Sequence, residues 1–244
     1  MLSISLVLNY NEYKVRFFTG EIIMDNINTS TQQVEVSYKK STKIIYNSIK
    51  RIMDILLSLI GIVVLSPVFL IVALVIRIDS KGKIVFAHER IGKNMKKIKV
   101  YKFRTMYENA AEIFENFSEE QKREYYINFK LDNDPRITRV GEFLRKTSLD
   151  ELPQLINILK GDMSIVGPRP IVEKEIEKYG AYAKTVFSVI PGLTGYWQAN
   201  GRSDTTYDER VQMDMHYIKN RSIIMDIKII LKTFVSVIKK EGAV

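Results

Sequence analysis

The dominant feature of the hydrophobic pattern is a run over residues 55–76 that contains no charge and has Ser66-Pro67 near its middle. A bilayer hydrocarbon layer about 30 Å thick takes roughly 20 apolar residues to cross as helix, so the run is long enough. Pro67 offers no N–H to the Val63 carbonyl and its ring crowds that carbonyl, which predicts a kink. The Ser66 hydroxyl can bond the Ile62 carbonyl in compensation. Lys39, Lys40, Lys43, Lys50 and Arg51 precede the run, and Arg77, Lys81 and Lys83 follow it. Cations on both flanks leave the positive-inside rule without a direction. A kinked spanning anchor and a helix–break–helix that returns to the same face both fit.

Beyond the run, residues 83–88 and 96–103 alternate around Gly92-Lys93-Asn94, predicting a β-hairpin. Residues 110–129 read as one solvated amphipathic helix. A turn at Asn133-Asp134-Pro135-Arg136 leads to helical spacing over 140–145 and 152–159, with Gly161 placed to end the second helix. Gly167-Pro168-Arg169-Pro170 forms a rigid loop. Helix is predicted over 171–189, a polar loop over 192–207 and helix over 208–217. The last helix, 222–239, aligns Ile223, Ile224, Ile227, Ile230, Leu231, Phe234, Val235 and Ile238, with Lys228, Lys232, Lys239 and Lys240 off the stripe. That pattern suits a helix lying on lipid, and equally one packed on a core. Upstream, residues 1–8 are apolar but lack a basic n-region and a cleavage site, so no signal peptide is expected. Met24 is a second candidate start. The expected division is a weakly ordered extension over 1–45, a membrane segment over 46–79 and a surface-bound domain over 80–244.

Charge narrows the chemistry. The 244 residues hold 37 Lys and Arg against 28 Asp and Glu, a net charge of +9. Beside a membrane segment, that excess points to lipid headgroups and nucleotide phosphates before nucleic acid. The absence of cysteine removes disulfides, thiolate nucleophiles and cysteine metal sites. Two histidines, His88 and His216, leave little room for Ser-His or zinc-His chemistry. Catalysis should rest on carboxylates, arginines and a hard metal.

The densest reactive string is Arg145-Lys146-Thr147-Ser148-Leu149-Asp150-Glu151-Leu152-Pro153-Gln154. Pro153 is tolerated only in a first helical turn, so a helix should begin close to Asp150 and hold Asp150 and Glu151 ionised at its positive end. An ionised Asp beside Arg145 can attack phosphorus or hold Mg²⁺. Acids in such a turn more commonly just cap it. Arg104, Arg136 and Arg169 each sit on a turn or strand end, where a guanidinium fork matches phosphate oxygens.

Together these strings resemble the monotopic polyprenyl-phosphate phosphoglycosyl transferases, the bacterial sugar transferases. The resemblance is carried by Lys50-Arg51-Ile52-Met53-Asp54, Ser66-Pro67, Lys102-Phe103-Arg104-Thr105-Met106, the run from Asn133 to Gly141, the block from Leu144 to Leu155, the run from Gly161 to Pro170, and Pro191-Gly192-Leu193-Thr194-Gly195. It extends from about Lys50 to the C-terminus. It implies an α-rich α+β fold: a re-entrant membrane helix broken at Ser66-Pro67, then a compact catalytic domain with a small β-hairpin and interfacial amphipathic helices. It implies that Asp150 attacks the β-phosphate of a UDP-sugar and releases UMP, and that the phosphate of undecaprenyl phosphate resolves the phosphosugar–enzyme. Glu151 would assist, Mg²⁺ would lie at Asp150 and Glu151, and Arg104, Arg136 and Arg145 would meet phosphate. Pro168, Arg169 and Pro170 would help form the nucleotide pocket. The implied partners are the UDP-sugar, the polyprenyl carrier and lipids of the bacterial cytoplasmic membrane, with no nucleic acid; homo-oligomerisation is left open. Gln198 to Tyr207 resembles the branch that transfers a hexose 1-phosphate, galactose or glucose. Departures from the family pattern are Lys83 for a common Pro, His88 for a usual Gln and Arg221 for a frequent Trp.

Overall fold

The computed structural model describes residues 7–10, 13–18, 21–26, 40–128, 131, 133–201 and 205–239. Contacts divide the chain into two compact units, Met1–Lys39 and Lys40–Val244. In the first, β1 (Val7–Tyr10), β2 (Tyr13–Phe18) and β3 (Glu21–Asn26) form an antiparallel sheet in sequence order. Its registers set Tyr10 opposite Tyr13 and Phe18 opposite Glu21. These strands lie within the stretch expected to be a weakly ordered extension, and the β-branched and aromatic content of residues 13–23 favours them. Residues 27–39 of that extension lie outside the described residues, as do Arg202, Ser203, Asp204 and Lys240.

In the second unit, α1 (Lys40–Val64) and α2 (Ser66–Asp79) meet at a 61° bend around Leu65. No single described helix is long and apolar enough to cross a membrane, but the bent pair together is, by length and composition. Pro67 sits in the first turn of α2, where its missing N–H costs little. The Ser66 hydroxyl donates to the Val63 carbonyl at 2.8 Å instead of to Ile62. Val63 is the carbonyl that Pro67 orphans, so the compensation is direct.

The expected hairpin forms from β4 (Val85–Ile91) and β5 (Lys97–Phe103), joined by a 3₁₀ turn over Lys93–Met95. Its register sets Phe86 opposite Lys102, His88 opposite Val100 and Arg90 opposite Ile98. Strand alternation therefore lines these six on one face. The predicted helix over 110–129 is two helices, α3 (Ala110–Glu115) and α4 (Glu119–Asn128). Phe117 is buried between them, and Ser118 and Gln121 exchange side-chain-to-backbone hydrogen bonds that start α4 afresh. Next come α5 (Arg139–Lys146), capped by the Thr138 hydroxyl, and α6 (Gln154–Lys160), ended by Gly161 at φ 90° as its sequence position predicted. A Cβ at Gly141 would run into the Thr105 carbonyl, so only glycine lets α5 approach the end of β5.

Residues 171–189 do not form one helix. Gly180 takes φ 48° and divides α7 (Ile176–Tyr179) from α8 (Ala183–Val186), with 3₁₀ turns at Glu173–Glu175 and Gly180–Tyr182. The apolar spacing behind that expectation still works: Tyr179, Ala183, Val186 and Phe187 are buried together with Ile91, Ile171 and Val211. A short parallel pair joins β6 (Ser164–Val166) to β7 (Gly192–Thr194), the second at the start of the stretch expected to be loop. Three helices complete the chain: α9 (Tyr196–Asn200), α10 (Tyr207–Asn220) and α11 (Ile223–Ile238).

The base of α1 is fastened to this domain by polar groups. Arg51 forks onto the Ile158 and Leu159 carbonyls at 2.6 and 2.8 Å, at the C-terminal end of α6. Asp54, buried, accepts from the Ser164 hydroxyl and the Ile165 N–H, both at 3.0 Å. Lys50, Tyr46 and Tyr217 converge on Asp226 of α11, each at 2.9 Å. On α11, Asp226 and Ile229 face the domain, while Ile224, Ile227, Leu231, Phe234 and Val235 stay exposed. The domain therefore covers the stripe only in part, with Ile223 and Ile230 half-buried. Leu56, Leu59, Ile60, Val63, Leu70, Ile71, Leu74 and Ile78 of the bent pair are exposed as well.

Candidate active site

Leu149, Asp150, Glu151 and Leu152 begin a 3₁₀ turn directly ahead of α6. Its period of three turns Leu149 and Leu152 into the cluster of Val72, Ile76, Phe103 and Leu144 and leaves the two acids on the other side. Ser148, in the left-handed region at φ 55°, makes the reversal out of α5. The acids meet Lys102 on the inner face of the hairpin: its Nζ lies 2.5 Å from Glu151 Oε1 and 3.4 Å from Asp150 Oδ2. Lys102 was not among the residues the sequence singled out. The available signal was its place in the row Ile98, Val100, Lys102, a charge ending an inward-facing apolar alternation.

The environment separates the two carboxyls. Burial and the neighbouring Glu151 push Asp150 above the ordinary carboxylate range, against the pull of Lys102 and Arg145. Burial also acts to raise Glu151, but Lys102, Arg169 and a hydrogen bond from Gln154 outweigh it and hold the group below its usual value. Glu151 is thus the more firmly ionised of the pair. Arg145 belongs to the site: its charge interacts with Asp150, and its Nε donates to the Thr105 hydroxyl at 3.0 Å. Arg169, between the buried Pro168 and Pro170, interacts electrostatically with Glu151 and with Arg90 and His88 of the hairpin.

Two other predicted phosphate ligands are engaged elsewhere. Arg104 points back to the end of α2, donating to the carbonyls of Ile76, Ser80 and Lys81. A strand-end arginine reads the same in sequence whether its fork meets phosphate or the open carbonyls of a helix. The Arg136 fork is filled by Asp134, at 2.6 to 3.1 Å, and its plane lies within 4.9 Å of the Phe114 and Tyr125 ring centres. The structure therefore assembles Asp150, Glu151, Arg145 and Arg169 around Lys102, and leaves Arg104 and Arg136 in structural contacts.

Among the described residues no group of three or more His, Cys, Asp or Glu could hold a metal ion by itself. The adjacent Asp150 and Glu151 do suit a small hard cation, which typically takes one or two carboxylates and completes its shell with water and substrate phosphate.

Lysine and arginine thus gather around the buried Asp150 and the half-buried Glu151, in the same unit as an apolar bent helix pair. Residues 45–240 match the family described as bacterial sugar transferase, and the chain belongs to that family. It is 44% identical over 197 residues to the exopolysaccharide production protein ExoY of Sinorhizobium fredii, covering 80% of this chain and 87% of that one. It is 43% identical over 198 residues to the undecaprenyl-phosphate galactose phosphotransferase of Salmonella typhimurium, and 40% identical over 193 residues to the UDP-glucose:undecaprenyl-phosphate glucose-1-phosphate transferase of Escherichia coli. Those matches cover 80% and 76% of this chain but only 41% and 39% of the two relatives.

Proposed function

We propose that the protein transfers a hexose 1-phosphate from a UDP-sugar to undecaprenyl phosphate, releasing UMP, as the first step in building an exopolysaccharide, capsule or O-antigen. The observation that carries this reading is the pair Asp150 and Glu151, held under Lys102 with Arg145 and Arg169 beside them. An Asp150 carboxylate oxygen attacks the β-phosphorus; the bond from that phosphorus to the bridging oxygen breaks, and UMP leaves with the electron pair. Arg145 and Lys102 supply positive charge where phosphate oxygens gather. An oxygen of the carrier phosphate then attacks the same phosphorus, forms the lipid diphosphate and returns Asp150 as carboxylate. Mg²⁺ at Asp150 and Glu151 would offset phosphate charge.

UMP release measured over a panel of UDP-sugars, with undecaprenyl phosphate present, tests the reaction. Release of UDP would instead mark a glycosyltransferase, and no turnover on any member would mark a membrane adaptor.

The pH profile carries a prediction of its own. Attack requires ionised Asp150, whose pKa is raised, so kcat/KM should fall on the acid side at a pH above that of an ordinary Asp. Lys102 lowers that pKa, so Lys102→Gln should move the acid limb to higher pH as well as reduce the rate. An unmoved limb would dissociate Lys102 from the titrating pair.

We place the catalytic domain on the cytosolic face of the bacterial cytoplasmic membrane, with α1 and α2 dipping into the lipid and returning. The support is that Arg51 and Asp54 fasten the base of α1, and Arg104 the end of α2, to one compact domain. The exposed stripe of α11 suits lipid for the same reason. Cysteines at Lys40 and Lys83 should both be shielded from an impermeant thiol reagent in intact cells; labelling at Lys40 alone would show a spanning helix. Pro67→Leu should restore a donor to Val63 and shift the segment towards spanning.

A further inference from the structure

A UDP-sugar carries two phosphates and the carrier a third, while Asp150, Glu151 and Arg145 serve the phosphorus that reacts. Further along the inner face of the hairpin lies Arg90, its side chain only 14% exposed. Among the described residues its polar contacts are one hydrogen bond, from Nη2 to His88 Nδ1 at 3.1 Å, and an approach of 3.7 Å to Glu175 Oε1. The second is too long for a hydrogen bond. Glu175 is already engaged: its Oε2 accepts from the Tyr207 hydroxyl at 2.6 Å and its Oε1 from the Val172 N–H at 3.5 Å. Arg169 makes no hydrogen bond or ion pair among the described residues. Arg90 is pushed down to about 10, by burial first and then by Arg169.

The contrast with three arginines in structural contacts is direct. Arg51 and Arg104 have their forks on helix-end carbonyls, and Arg136 has its fork on Asp134. A guanidinium has five N–H donors. Arg90 keeps most of them uncommitted among the described residues, in a place where a second cation repels it. Glu175 and Glu151 offset burial and that repulsion only in part, so a further anion would be favoured there.

We propose that Arg90 and Arg169 form a second anion position, which binds a phosphate oxyanion of substrate, and that His88 and Glu175 are positioning residues that aim Arg90. This rests on the transfer reaction proposed above. His88 accepts through Nδ1, so its ring proton lies on Nε2; as a neutral partner it orients the guanidinium without cancelling its charge. Glu175, itself held by Tyr207, balances part of the charge from a distance that leaves the fork free. The phosphate can come from the nucleotide or from the carrier lipid.

The full-length protein in detergent, as wild type and as Arg90→Gln, Arg169→Gln, Glu175→Gln, His88→Leu and His88→Gln, separates these sources. KM for the UDP-sugar, KM for undecaprenyl phosphate, inhibition by UMP and thermal unfolding are read for each. Arg90→Gln should raise one KM about 10- to 100-fold, the range for losing a charge-assisted hydrogen bond. Arg169→Gln should raise the same KM. A rise for UDP-sugar with weakened UMP inhibition assigns the nucleotide phosphate; a rise for the carrier with UMP inhibition unchanged assigns the lipid phosphate. Glu175→Gln and His88→Leu should raise that same KM less, with His88→Gln restoring it. Both KM values and UMP inhibition within twofold of wild type in Arg90→Gln and Arg169→Gln would overturn the proposal. Should Arg90→Gln fail to fold, Arg169→Gln alone decides. If the wild type releases UDP, the transfer reading fails, and direct UMP binding to the same variants still tests the anion position.

Discussion

Asp150→Asn should lower turnover by about four orders of magnitude or more while leaving the fold intact, as expected when a covalent nucleophile is removed. The alternative role, capping α6, lacks its hydrogen bond: no side chain caps either the 3₁₀ turn or α6, and the hydrogen bond that Asp150 accepts comes from Lys102. Asn also caps about as well as Asp, so a capping residue would tolerate the change. Incubating wild type with a UDP-sugar labelled in the sugar, without carrier, should leave label at Asp150 together with a burst of UMP. Chelating Mg²⁺ should suppress both. Label that never attaches, with rates that need both substrates bound at once, would favour direct attack by the carrier phosphate.

Asp226→Ala should cost about 3–5 kcal/mol, the usual result of removing one partner from a buried ion pair. Asp226 is fully buried; Lys50 is 12% exposed and sits 2.9 Å away. The alanine would leave that ammonium without its anion and leave the Tyr46 and Tyr217 hydroxyls only each other, at 3.3 Å, and the Val166 carbonyl, at 3.4 Å. For a domain of this size the loss corresponds to a fall in Tm of roughly 6–20 °C. Asp226→Asn keeps an acceptor for the tyrosines and should lose less. Pairing Asp226→Leu with Lys50→Met removes both charges and should recover part of the stability. Equal losses for the single and paired changes would mean that the charge pair is not what matters.

The residues that announced themselves in sequence were those whose local rule and final place agree. Pro67 and Gly161 set a helix start and a helix stop by backbone geometry alone. Leu149 and Leu152 bracket Asp150 and Glu151, so that packing the leucines on the core of α2, β5 and α5 turns the acids to the other side, towards Lys102. The shorter strands were not legible, because three residues, such as 164–166, are too few to show a period. Ser118 and Gly180 break two predicted helices that their apolar spacing would otherwise continue. Lys102 escaped notice because a lysine in an alternating strand usually faces water; only the tertiary position of Asp150 and Glu151 gives its charge a partner. Arg104 and Arg136 have the right chemistry and the wrong neighbours, a distinction that lies in packing.

Asn157 joins the two halves of the centre. Its Oδ1 accepts from the Tyr101 N–H at 2.9 Å and its Nδ2 donates to the Lys99 carbonyl at 2.7 Å, the two bonds that an adjoining strand residue would make. One carboxamide on α6 therefore closes part of the free edge of β5, and with it removes a place where a second chain could add. It also ties the strand bearing Lys102 to the helix that the Asp150 turn opens. The gap between the lysine and the acids is thereby held from both sides. A change at this amide would therefore be felt at the Lys102–Glu151 contact although neither partner had been touched.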